Sequence, residues 1–198
     1  MPPNFSTGDM LDPTNWRQAH LSLVTASATL NRANRLMMER GQGRRVRERW
    51  PGIEKGLGEE VKAETWGFKR FKHEEKDYRV FNPPYRLLIS PHWPKRKLGL
   101  FQVSRRFCND AELLLIEYGV ALVRQFCVGY PGVRIHLEFP GAGDGGLRRE
   151  WVLPLVERLP DNVTIWELPH SSSVVTKTAG LAGALVTTAD HHSRRNGR

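Results

Sequence analysis

Cysteine is scarce in this chain of 198 residues, where only Cys108 and Cys127 occur. Neither belongs to a CxxC pair or stands at zinc-ligand spacing from a histidine, so neither a disulfide framework nor a zinc site is expected. Both lie in apolar stretches, which predicts two reduced, buried thiols. The chain also lacks an apolar run long enough to cross a bilayer. Its opening, MPPNFSTGDM, has neither the basic start nor the apolar centre of a secretory signal. These lacks predict a cytoplasmic protein (host-cell cytoplasm if viral) with no membrane partner. No Ser-His-Asp constellation can be assembled from spacing, since His92, His136 and His170 are scattered. No metal or cofactor is expected. Acidic residues are outnumbered by Lys and Arg, 21 to 30, for a net charge of +9. That balance favours anionic partners, nucleic acid and nucleotides among them, without choosing between them.

What is present suits one globular domain of ordinary size. Hydrophobic residues make up 39% and charged residues 26%, which excludes disorder across the whole chain. His20 to Leu30 (HLSLVTASATL) reads as the first strand, followed by a polar loop from Asn31 to Gly43. A helix is predicted from Arg44 to Trp50. Past Pro51, the spacing of Ile53, Leu57 and Val61 predicts another. Tyr78 to Phe81 and Arg86 to Ser90 read as strands split by Pro83-Pro84, within a mixed stretch from Thr65 to Lys97. Leu98 to Val103 reads as a buried strand. Asn109 or Asp110 is the expected cap of a helix over Ala111 to Cys127, with Glu112 in its first turn. Val133 to Phe139 (VRIHLEF) alternates as a strand, Arg149 to Arg158 reads as a helix, and Val163 to Trp166 as the closing strand. Strand, loop and helix in repeated order predict a mixed or mostly parallel sheet with helices on both faces. The domain is expected to span residues 1 to 169, as a monomer. Residues 170 to 198, rich in Ser, Thr, Ala and Gly and ending HHSRRNGR, read as a flexible basic tail.

The segment that carries the most chemistry is IHLEFPGAGDGGLRREWVLPLV. A strand that stops at Pro140 and turns through Gly141, Gly143, Gly145 and Gly146 exposes several backbone N–H groups in a small concavity. A following helix would add its own unpaired amides. This is the composition of a phosphate loop, but it is neither a Walker loop nor a dinucleotide fingerprint, since no GK[ST] follows and the glycine order is GxGxGG. The loop after the first strand, TASATLNRANRLMMERGQGRR, stands where ligand crevices form in open α/β sheets. Trp50, Trp66, Trp93, Trp151 and Trp166 read as core or surface anchors rather than base-stacking platforms.

Three stretches in this order resemble the macrodomain family, and in particular its phage-type members with ADP-ribose-phosphatase-like sequences. They are Gly8-Asp9-Met10-Leu11, the stretch TASATLNRANRLMMERGQGRRVRERWPGIEKGLGEEV, and FPGAGDGGLRREWVLPLVERLPDNVTIW, within residues 6 to 168. The resemblance implies a three-layer α/β/α fold with a mixed central sheet, and a pocket for ADP-ribose or a related NAD-derived nucleotide diphosphate. It implies that Asp9, with Met10 beside it, receives the adenine amine. Asn31 to Gly43 would wrap the distal ribose, with Asn31, Gly41 and Gly43 as ligand contacts. Gly141, Ala142, Gly143, Gly145 and Gly146 would hold the diphosphate. Candidate catalytic residues are Asp144, Ser27 and Asn34, for hydrolysis of ADP-ribose 1''-phosphate or an ADP-ribosyl ester. The chain departs from the family pattern at Ser27, where Asn is usual, and at Glu39, where a small residue is usual. Both departures favour a non-enzymatic, nucleotide-sequestering domain over a fast enzyme. A further alternative is a basic nucleic-acid-binding module using Arg44 to Arg49 and the basic tail.

Overall fold

The computed structural model describes residues 1–168. The tail expected from residue 170 onward, with His170, lies outside them.

Six strands form the central sheet. They are β1 (Asn4–Thr7), β2 (Leu21–Ser27), β6 (Leu87–Ile89), β7 (Leu98–Ser104), β8 (Ile135–Glu138) and β9 (Val163–Glu167), in the order β1-β9-β8-β2-β7-β6. Every pairing is parallel except β6 with β7, so the sheet is mixed, as expected. Alternation along the strands sends side chains to two separate cores. Leu21, Leu23, Phe101, Ile135, Leu137, Val163 and Ile165 pack beneath α4 (Leu113–Gly129) and α5 (Arg149–Val156). Val24, Leu98, Leu100 and Trp166 face the other way, toward α2 (Gly41–Arg49) and α3 (Ile53–Ala63). Helices therefore cover both faces of one sheet, giving three layers. The α4 layer approaches closely because Gly119 lies on the Phe101 ring, where an added Cβ would meet ring carbon at 2.5 Å.

The structure corrects several sequence expectations. His20 to Leu30 is two strands, not one. A bulge at Ala26/Ser27 ends β2, and the chain then enters β3 (Thr29–Asn31) in a second, antiparallel sheet. That sheet, ordered β3-β5-β4, is completed by β4 (Gly67–His73) and β5 (Lys76–Asn82), so the stretch read as mixed is largely a hairpin. The polar edge strand β1 and the short α1 (Pro13–Gln18) escaped detection because neither carries a periodic apolar pattern. Neither Asn109 nor Asp110 caps α4. Ala111 N–H donates to Gly145 carbonyl at 2.8 Å and Glu112 N–H to Val103 carbonyl at 2.7 Å. These bonds hold the chain extended as far as Glu112, which stands at the cap without a side-chain capping bond and pairs instead with Arg105 at 3.3 Å. Of the two thiols, Cys127 is buried and Cys108 is half-buried. The stretch expected as a loop up to Gly43 ends earlier, because α2 begins at Gly41.

His136 lies on β8 at 4% exposure, its ring 5.2 Å from that of Trp166, and its Nδ1 has no partner among the described residues. Burial, helped by the nearby Arg134 charge, lowers its pKa to about 4. A depressed imidazole binds its proton more readily in the unfolded chain, so stability is full above the ordinary value and falls as pH drops. We expect a loss of about 2–3 kcal/mol between pH ~6.5 and ~4, attributable to this residue. Denaturant melts of the protein and of His136→Gln across that window check it. Equal pH slopes in the two proteins would assign the acid loss elsewhere.

Candidate functional site

The carboxyl ends of β2, β7 and β8 open into a cleft of about 510 Å³, the place where ligands collect in open α/β sheets. Thr25, Ala26 and Ser27 form its floor, with Val103 and Ser104 beside them and Glu138 and Phe139 behind. One wall is the glycine loop. The opposite wall is Met37 to Gly41 with the first turn of α2, and Phe107, Trp166 and Leu168 border the remainder.

The glycine loop is shaped by its backbone angles. Gly143 has φ +65° and Gly146 φ +72°, values that L side chains rarely adopt. Between them runs a single 3-10 turn, Gly143–Gly145, closed by Gly146 N–H to Gly143 carbonyl at 3.0 Å. Leu147 N–H returns to Gly141 carbonyl at 3.0 Å. The N–H groups of Ala142, Gly143 and Asp144 are left without an acceptor among the described residues. Exposed amides on a positive-φ turn form a concavity suited to an anion.

Across the cleft, the start of α2 already holds two carboxylates. Gly41 N–H donates to Asp144 Oδ2 at 3.1 Å, which ties the glycine loop to the facing wall. Gln42 N–H donates to Glu138 Oε1 at 3.3 Å. Glu138 also accepts from Thr25 N–H at 3.0 Å and from Thr25 Oγ1 at 2.5 Å, so both its oxygens are engaged. Burial pushes the Glu138 carboxyl above its usual range, against the lowering effect of these hydrogen bonds; the Asp144 charge adds a smaller push upward. The helix end favours negative oxygen, as its unpaired amides and dipole require. Other charges nearby are largely matched. Glu39 pairs with Arg47 at 2.6 Å, and Glu167 with Arg149 at 2.9 Å. Arg40, exposed on the cleft wall, has no acidic partner among the described residues.

Ser27, Gly41, Gly43, Gly141, Ala142, Gly143, Asp144 and Gly145 all line this cleft. The other named residues stand outside the lining. Gly146 lies behind the loop, against the Asp110 carboxylate. Met10 is fully buried in the core, and Asp9 is held by Leu11 N–H at 2.9 Å and by Arg45 at 2.8 Å. Asn31 uses its side-chain oxygen to accept from the amides of Ala33 and Arg35, and Asn34 accepts from Arg79 at 2.6 Å. Both asparagines therefore brace the edge of the second sheet. Ser27 is 4% exposed, and its Oγ accepts from Thr29 N–H at 3.3 Å. The arginines of α2 are mostly engaged. Arg44 pairs with Glu48, Arg45 with Asp9 and Arg47 with Glu39, while Arg49 donates to Leu11 carbonyl and lies over Trp50.

Sequence reasoning missed Glu138, Arg40, Phe107 and the placement of Trp166 in the cleft. Glu138 left one readable trace. It shares the His136 face of an alternating strand whose other face is Ile135 and Leu137, so it could not point into the α4 core. Arg40 left none, because only the path of the Met37–Gly41 segment brings it to the wall.

Neither a protein-family model nor a curated protein matches the chain. Solved structures do. DarTG of Thermosipho africanus in complex with ADP-ribose is similar over 84% of this chain at 21% identity and a TM-score of 0.56. The aligned part is 42% of that longer chain, so this protein spans less than half of it. The DarG macrodomain of Thermus aquaticus matches over 83% of this chain and 95% of its own, at 14% identity and TM-score 0.55. That of Mycobacterium tuberculosis matches over 82% and 95%, at 16% identity and TM-score 0.54. With its mixed sheet, its two helical layers and the cleft at the strand ends, this chain has the macrodomain fold.

Proposed function

We propose that the cleft binds ADP-ribose or a closely related NAD-derived nucleotide diphosphate, and that it holds this ligand rather than turning it over rapidly. The observation that carries the reading is the set of amides at Ala142, Gly143 and Asp144 without acceptors among the described residues, in a cleft-lining loop tied to the anion-holding start of α2. Backbone N–H groups aimed into one concavity suit a diphosphate and need no particular side chains. Arg40 supplies the unmatched positive charge. A structural neighbour, the Thermosipho africanus DarTG, was solved with ADP-ribose, which agrees with this assignment.

Hydrolysis of ADP-ribose 1''-phosphate or an ADP-ribosyl ester is the lesser reading. Of the three candidate catalytic residues, Asn34 is bound to Arg79 outside the cleft, Ser27 is buried against Thr29, and Asp144 is bound to Gly41. Of the other cleft carboxylates, Glu138 is fully engaged in bracing Thr25 and α2, Glu39 pairs with Arg47 and Glu167 with Arg149. A fast hydrolase needs a base free to activate water, and of these groups Asp144 keeps one oxygen unengaged among the described residues while its other is tied to the facing wall.

Calorimetric titration tests the reading. ADP-ribose should bind and raise the melting temperature, and AMP should do so much less, because it lacks the second phosphate and distal ribose. Arg40→Ala should weaken ADP-ribose about tenfold, the loss of roughly one charge-assisted hydrogen bond, with the melting point of the unliganded protein unchanged. Equal shifts with AMP and ADP-ribose, or no shift with either, would sink the assignment.

A further inference from the structure

The second sheet carries a surface that the cleft does not use. Its strands pair Phe68 with Phe81, Arg70 with Arg79 and Lys72 with Asp77, so these residues share one face. Ring contacts agree. Phe68 and Phe81 lie 5.5 Å apart on this face, whereas Phe71 and Tyr78 lie 5.6 Å apart on the other. The other face is anchored, since both Phe71 and Tyr78 pack on Phe107, which borders the cleft. The Phe68 face is open along β4. Trp66, which precedes β4 and donates its N–H to the carbonyl of Asn82, the residue paired with Gly67, is 86% exposed, and Phe68 is 45% exposed.

Two exposed aromatics are an expensive display for a soluble surface unless something covers them. Here they stand among cations. The Arg79 and Arg70 guanidinium groups lie 5.6 Å and 5.9 Å from the Phe68 ring. Lys72 extends the row along β4. Arg32, paired to Asp77, closes the far side of a second hollow that Arg70 and Arg79 also line. The only acidic side chains of the hairpin are Asp77, already paired, and Glu74 and Glu75 at its tip. An exposed ring just before β4 and another on it, followed along the strand by positive charges at Arg70 and Lys72, are the two components that bind a flexible polyanion with stackable units. Bases stack on rings of any sequence, and phosphates follow the cations.

We propose that the outward face of the β3-β5-β4 sheet is a binding site for single-stranded nucleic acid, with Trp66 and Phe68 as the stacking platform and Arg70 and Lys72 as the phosphate track, flanked by Arg79, which is held by Asn31 and Arg32 carbonyls and Asn34, and by Arg32, which is paired to Asp77. The site is separate from the cleft and stands whether or not the cleft binds ADP-ribose. It is also distinct from the arginine-rich α2, whose cations are mostly matched by carboxylates. A duplex fits less well, because its bases are already stacked and offer no faces to the rings.

Fluorescence anisotropy with labelled oligo-dT and oligo-U of about fifteen nucleotides, a length that covers one such platform, is the test. The full-length protein should bind at low salt, with affinity falling at a log–log slope of about −2 for roughly three phosphate contacts. Trp66→Ala and the double variant Trp66→Ala/Phe68→Ala should weaken binding, the double by about tenfold or more. Arg70→Glu/Lys72→Glu should weaken it and flatten the salt slope. Because Trp66, Arg70 and Lys72 are exposed, variants confined to them should match the parent protein in melting temperature; Phe68→Ala removes packing on Phe81 and should lower it modestly, and ADP-ribose titrations should match the parent throughout. The oligo-dT and oligo-U arms separate DNA from RNA as the natural strand. No binding of either strand at low salt would overturn the proposal, as would parent-level affinity in a folded double variant. Tighter binding of duplex, or equal competition by polyglutamate, would overturn it too, since either would show a general attraction to negative charge without stacking.

Discussion

Gly143→Val should abolish ADP-ribose binding, weakening it by about a hundredfold or more, while the protein stays folded. No atom lies within 4 Å of the position its Cβ would take, so the added side chain meets no neighbour and occupies open space on a loop that lines the cleft. The cost to the fold comes from the backbone. At φ +65° a β-branched residue is strained by about 1–2 kcal/mol, enough to lower the melting point by a few degrees in a domain of this size. Gly141→Val is the informative contrast. There an added Cβ would stand 2.8 Å from Ile116 and 3.1 Å from Ala111, so the loss should appear as instability before any effect on binding. Calorimetry with each variant, alongside circular dichroism and melting of the unliganded protein, separates the two. Parent-level affinity in folded Gly143→Val would mean that the loop is a turn and nothing more.

Glu138→Ala should be the most destabilising single change in the cleft, costing about 3 kcal/mol or more. It removes the acceptor of three donors at once: Thr25 N–H, Thr25 hydroxyl and Gln42 N–H. Buried donors left without partners cost about 1–3 kcal/mol each, partly relieved where water enters. Glu138→Gln keeps the shape and one oxygen, and should cost less. It also isolates a pH effect. Burial raises the Glu138 pKa above its unfolded value, so the folded chain binds the proton more tightly. Its contribution to stability is therefore present below the unfolded carboxylate value and is lost as pH rises through the higher folded one. His136 has the opposite slope over a partly shared range, so the comparison must be made as a difference between the parent protein and Glu138→Gln. Denaturant melts from about pH 4 to 8 should show the parent losing stability relative to the variant as pH rises. A constant difference would show that folding leaves the Glu138 pKa unshifted.

Local pattern was enough to read much of the fold. The apolar faces of α3 and α4, the alternation of β8 and the buried run of β7 are properties of neighbouring residues, and burial against one sheet follows from them. The glycine loop was legible for the same reason, since positive φ at Gly141, Gly143 and Gly146 is a local demand that glycine meets locally. What stayed hidden depended on partners far apart in sequence. Nothing near Ala28 signals that Thr29 will pair with Val80 rather than extend β2. Nothing near Trp66 chooses between the core and surface readings open to it, and the fold leaves its ring in solvent. The α2 arginines look like a free basic patch until the fold brings Asp9 to Arg45.

The site divides along the same line. Sequence by itself determined that the segment after β8 would expose amides on a glycine turn, because the backbone angles of a short loop depend on the residues within it. Only the tertiary structure decided what faces those amides. Asp144 and Gly41 are 103 residues apart, and Glu138 and Thr25 are 113 apart. Their contacts exist because parallel strands β2 and β8 lie side by side and deliver their carboxyl ends to one place. Pairing of that kind is chosen by the summed burial of two cores on either face of the sheet, a quantity no single segment carries.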